Sequence, residues 1–227
     1  MRSDRFGLAV VLALAPVPLF AQSSRGPAPR GNPSELVAAE SALAHLAHDK
    51  GANAALLFYA DDSAEFIAPS RTPARAWVKT HNAAPWFVDR QTANVWASCD
   101  GTAGVSAGLW HDGWFATVWK QQKKFNYKWA LTDAGPLATL PQSPDWVTGK
   151  LADCPARLPR PEGPVPSGPP PLRPLPAAIP PQTGGDSRDG RSDDGSLVWR
   201  TSVLPDGTHH LTVWAYMGGA MQAVVTR

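Results

Sequence analysis

Residues 155–181 read PARLPRPEGPVPSGPPPLRPLPAAIPP, with 12 prolines in 27 positions. Each proline fixes φ near −65° and removes a backbone donor, so this stretch cannot supply a sheet ladder or a helix interior. Its composition predicts an extended, semi-rigid spacer, and residues 182–195 (QTGGDSRDGRSDDG) continue it as polar coil. The chain is thereby divided into a main domain over 34–154, a linker over 155–195 and a β extension over 196–227. In the extension, SLVWRTSVL, THHLTVWAYM and AMQAVVTR are separated by Pro-Asp-Gly and Gly-Gly turns, which predicts a three-stranded meander. About 32 residues bury too little surface to stand alone. The meander is therefore expected to pack on the main domain or on a partner.

The amino terminus reads as a targeting segment. Arg2 and Arg5 precede an apolar run from Phe6 to Phe20 that is broken by Pro16 and Pro18, and Ala21 offers a small residue for cleavage. Residues 1–21 are thus expected to be a signal peptide, because the apolar run of about 15 residues falls short of the roughly 20 that span a bilayer. Residues 22–33, rich in Pro and Gly, form a flexible lead-in. The expected location is periplasmic or secreted, with no stable membrane insertion after cleavage. In such a compartment the two cysteines are meaningful. Pairing Cys99 with Cys154 would close a loop of about 56 residues, worth about 4 kcal/mol in the chain-entropy account. We expect that disulfide in preference to two free thiols, and it would pin the segment leaving the domain back onto the sheet.

Periodicity gives the element order. Asn32 as N-cap and Pro33 at the first helical position open a helix, with Leu36, Ala39, Leu43, Leu46 and Ala47 on one face and Lys50-Gly51 closing it. A second helix covers about 52–59, a strand follows near 64–67, and a short third helix opens at Thr72-Pro73. Strands are expected over 86–98, 103–110, 114–121 and 125–132, with His111-Asp112-Gly113 as a hairpin turn. Helices followed by antiparallel strands predict an α+β layer architecture.

Three stretches carry a resemblance: Tyr59-Ala60-Asp61-Asp62, Thr117-Val118-Trp119-Lys120, and Trp129-Ala130-Leu131-Thr132-Asp133-Ala134-Gly135. In this order over residues 34–135 they resemble the nuclear transport factor 2-like superfamily, in its exported, ketosteroid-isomerase-like branch of unknown function. The resemblance implies a cone-shaped fold, with helices packed on a curved antiparallel sheet around a pocket. It also implies a homodimer as a candidate assembly, formed through the sheet. The isomerase chemistry it would bring is missing: Ile67 stands where a general-base Asp is expected, and the first helix has no tyrosine for an oxyanion hole.

The same shell could hold other chemistry. Glu40, Asp89, Arg90, Asp133 and His81 are placed where they could reach a pocket, and Glu40 with Asp133 could divide acid and base roles in an apolar cavity. That reading predicts a lyase, isomerase or hydrolase. His45 and His48 share a helix face, but two imidazoles fall short of the three or four ligands a metal needs. The stretch Asp186–Asp194 lacks the spacing of a calcium loop, so neither metal nor cofactor is implied. With a formal net charge of +2 and no long basic run, nothing in the chain marks a nucleic-acid partner. There are 10 tryptophans, and Trp110, Trp119 and Trp129, with Tyr59, are candidates to line a pocket for a small apolar or aromatic ligand; the bland alternative is that they fill the core. Binding without catalysis is the leading expectation. An envelope interaction module, with the β extension as its docking piece, is the third.

Overall fold

The computed structural model describes residues 31–67, 70–81, 87, 89–123, 126–142, 145–158, 168, 170–172, 174–175 and 185–227. The signal peptide, most of the lead-in and Trp86 lie outside the described residues. In chain order the elements are α1 (Pro33–Lys50), α2 (Ala52–Tyr59), β1 (Ala60–Phe66), β2 (Thr72–Pro73), α3 (Ala74–Thr80), β3 (Arg90–Ala97), β4 (Ala103–Trp110), β5 (Gly113–Gln121) and β6 (Tyr127–Pro136). They continue with β7 (Thr148–Leu151), β8 (Asp186–Arg191), β9 (Leu197–Val203), β10 (His209–Met217) and β11 (Ala220–Thr226).

The expected cone of helices on an antiparallel sheet is not the fold. Strand dominates, and the described residues hold three helices and two sheets. The larger sheet has seven strands in the order β2-β1-β6-β5-β4-β3-β7 and is mixed, because β1 pairs parallel with β6 and β7 parallel with β3. The smaller has four strands in the order β11-β10-β9-β8. The physical reason for the difference is the second face of the large sheet. Leu197, Trp199, Leu211, Val213 and Ala215 of the small sheet pack against Val105, Ala107, Ala116, Val118 and Leu131 of the large one. On the opposite face, Leu36, Leu43 and Leu56 of the helices pack with Val95, Trp119 and Trp129. The molecule thus has three layers, and β4 and β5 are buried on both faces, as strands in the middle layer must be.

Local chemistry explains each layer. The Asn32 side chain accepts from Ser34 N at 3.0 Å, and Gly51, at φ +88°, ends α1 by donating to Ala47 O. The buried stripe of α1 is Leu36, Glu40, Leu43 and Ala47, so a carboxylate sits in the middle of an apolar face. Gly104 lets the helix come close, since a Cβ there would lie 2.3 Å from Leu36 Cδ1.

The small sheet is fastened rather than tethered. The Cys99–Cys154 disulfide is formed, with Cα atoms 5.0 Å apart. Beside it, Asp153 N donates to Tyr216 O at 2.7 Å and Gly218 N donates to the Asp153 carboxylate at 2.7 Å. Asp100 and Asp194 exchange bonds, each backbone N–H donating to the other's carboxylate. Arg71 donates to Asp186 O and Thr201 O, both at 2.9 Å. Two features of the expected linker differ. Residues 186–191, expected as coil, form β8 at the edge of the small sheet. At the start of the Pro-rich stretch, Arg157 forms an antiparallel bridge with Leu172 and Leu158 N donates to Pro171 O at 2.9 Å, contacts that an extended spacer would not make.

Candidate functional site

Glu40 and Arg90 meet between α1 and the large sheet. Arg90 Nη2 donates to Glu40 Oε2 at 2.7 Å, with the two side chains 3% and 7% exposed. The other carboxylate oxygen accepts from Ser106 Oγ and from Trp119 Nε1, the latter at 3.2 Å. Arg90 Nη1 donates to Thr117 Oγ1 at 3.2 Å, and Thr117 is in turn bonded to Thr132. The rings of Phe87 and Phe115 lie 4.9 and 4.6 Å from the guanidinium carbon. Burial pushes the Arg90 guanidinium below its ordinary value, and the Glu40 carboxylate works against that shift. A buried charge pair with its donors and acceptors satisfied in this way holds its own geometry.

Asp133 is elsewhere. It lies on the other face of the sheet, where its Oδ2 is 3.0 Å from His209 Nδ1 of β10 and its Oδ1 accepts from Ala134 N. The His209 bond to Asp133 raises the imidazole pKa above its ordinary value, with burial opposing. The Glu40–Asp133 pair expected from the sequence is therefore separated by the sheet itself.

The aromatic candidates are dispersed as well. Trp119 and Trp129 are fully buried and fill the space between helices and sheet, with Trp129 Nε1 donating to Leu56 O at 2.9 Å. Trp110 is half-buried and lines a cleft of about 300 Å³ with Asp89, His111 and Leu140. Tyr59 lines another, of about 440 Å³, with Phe58, Lys128 and Ala38, Ala39 and Ala42 of α1. His81 stacks on Trp77, and His48 contacts Asp49 on the solvent side of α1.

What the structure does assemble is a cleft of about 270 Å³ above the ion pair. Val37, Ser41 and Ala44 of α1 form one wall, Gln91 and Thr92 of β3 another, and Asp145, Trp146 and Val147 the third. Glu40 and Arg90 lie at its floor. Trp146 is 71% exposed. No period of two marks it in the sequence, although a tryptophan that stands outside any such period is a signal of its own. The adjoining cleft at Trp110 shares Arg90 and Gln91 and carries the exposed Leu140.

Among the described residues no helix is long and apolar enough to cross a membrane. No protein-family model matches the chain, and no curated protein matches it.

Proposed function

We propose that the protein is an exported binding protein that holds a small aromatic molecule, without catalysis, in the cleft beneath Trp146. The observation that carries this reading is the exposure of the Trp146 indole at the rim of a cleft with Val37, Ala44 and Val147 in its walls. A tryptophan side chain contributes large apolar area when covered, and here a ring-shaped ligand is what would cover it. The ion pair beneath favours binding over chemistry. Each oxygen of Glu40 already has a donor, and Arg90 is engaged by Glu40, Thr117 and two ring faces, so neither group is poised to exchange a proton with a substrate. Separation of Glu40 from Asp133 removes the motive for an acid/base mechanism. Packing of the small sheet against the large one likewise leaves the β extension without a free inner face for an outside partner. Export rests on the pattern of residues 1–21 together with the disulfide.

Two experiments test the two halves. Sequencing the amino terminus of the protein recovered from expressing cells should find Gln22 first; an uncut chain retained in the cytosol would refute export. For binding, a set of aromatic fragments should move the amide resonances of Ser41, Thr92 and Val147 in the full exported chain. Trp146→Ala should abolish those shifts while leaving the melting temperature unchanged. A screen in which no cleft resonance moves would refute the binding reading.

A further inference from the structure

The charges around this cleft are not equivalent, and their inventory bears on what it accepts. This inference rests on the binding role proposed above. Arg90 looks at first like an anion receptor, but its guanidinium is committed: Nη2 to Glu40, Nη1 to Thr117, and its two faces to Phe87 and Phe115. Its side chain is 3% exposed. Glu40 is committed in the same way, to Arg90, Ser106 and Trp119. The two charges on the floor cancel, and a ligand meets them as a neutral, filled surface.

Asp145 is different. It is exposed, it lines the same cleft beside Trp146, and it has no hydrogen-bond or ion-pair partner among the described residues. The uncompensated charge of the cleft is thus one carboxylate, placed next to the one wall group that is a large exposed π-face. Carboxylate and indole together are the recognition chemistry of an organic cation: the ring quadrupole attracts the ammonium face, and the carboxylate neutralises it at longer range. Apolar walls from Val37, Ala44 and Val147 suit the body of such a molecule. The geometry points to a ligand that is a compact organic ammonium ion carrying a flat apolar group, held between Trp146 and Asp145.

Three probes of matched size test this on the full exported chain: benzyltrimethylammonium, benzyl alcohol and benzoate, each titrated by NMR while the Trp146 indole N–H and the Ser41 and Thr92 amides are followed. The cation should bind most tightly, by about threefold or more over the alcohol, and benzoate should bind most weakly. Asp145→Asn, at an exposed position, should keep the melting temperature and reduce the preference for the cation to nearly nothing. Equal binding of cation and alcohol, tighter binding of benzoate, or an unchanged preference in Asp145→Asn would each overturn the cation assignment while leaving a binding cleft. Absence of any shift at the cleft with all three probes would overturn both the assignment and the reading it rests on.

Discussion

Trp129 and Leu131, two residues apart on β6, belong to opposite cores. Trp129 packs with the helices, whereas Leu131 packs with the small sheet. In a regular strand residues i and i+2 share a face. Here the pairing with β5 runs Val118 to Leu131 and then Trp119 to Trp129, so Ala130 is an extra residue, a β-bulge. Everything beyond it changes side, which is why Asp133 ends up against His209 and not near Glu40.

Removing the bulge should therefore be far worse than altering it. Deleting Ala130 forces either Trp129 or the Leu131–Asp133 segment onto the wrong face. The expected loss is at least about 3 kcal/mol, the lower end for losing a buried aromatic side chain. Ala130→Gly should cost only about 1 kcal/mol. Urea unfolding of the two variants compares them, and a deletion variant as stable as Ala130→Gly would show that the bulge does not set the faces.

The Glu40–Arg90 pair makes an asymmetric prediction. Glu40→Ala leaves a guanidinium buried without its counter-charge and should destabilise by about 3–5 kcal/mol. Glu40→Leu combined with Arg90→Met removes both charges and should recover much of that loss. Denaturant titration gives both values. A double variant less stable than Glu40→Ala would mean that the network's remaining hydrogen bonds, from Ser106, Trp119 and Thr117, outweigh the charges.

How much of this could be read from the sequence follows from where the signals are local. The ends of α1 were legible because Asn32, Pro33 and Gly51 carry their own cap chemistry. The hairpin at His111-Asp112-Gly113 and the three strands of the C-terminal meander were legible for the same reason. β7 and β8 were not. TGKL is four residues long, and DSRDGR has no apolar alternation at all; each exists because a neighbouring strand offers an edge. Gly190 shows how β8 is held, for a Cβ there would lie 2.4 Å from the Trp199 ring that covers it. The bulge at Ala130 has no local signature, and a period of two alone would place Trp129, Leu131 and Asp133 on one face. The cleft was missed because its walls come from three segments far apart in the chain, although Glu40 and Arg90 were both suspected of facing a pocket.

The disulfide should act mainly on the attachment of the small sheet. Cys99 precedes the Asp100–Asp194 exchange, and Cys154 follows the Asp153 contacts with Tyr216 and Gly218. Reduction, or Cys99→Ser with Cys154→Ser, should cost about 2–4 kcal/mol. Hydrogen exchange should rise first in β9 and β10. Uniform loss of protection, with no excess in those strands, would place the effect on the unfolded chain alone.

The last prediction concerns pH and follows from the buried Asp133. Its carboxylate is 0% exposed, and the cation that compensates it is the His209 imidazole, 20% exposed and positive only when protonated. The Trp114 and His209 rings lie 6.5 Å apart, and the Arg227 guanidinium carbon lies 5.7 Å from the Trp114 ring centroid. Because the bond to Asp133 raises the folded-state pKa of His209 above the ordinary 6.5, folding takes up protons as His209 titrates. The resulting stability is fully present below about pH 6.5 and is lost as pH rises through the folded-state value. Chemical denaturation between pH 5 and pH 9 should show that fall, and His209→Gln should flatten it. The imidazole resonances of His209 should titrate above the ordinary 6.5. A His209 that titrates below 6.5 would mean that burial outweighs Asp133, and the slope of stability with pH should then reverse.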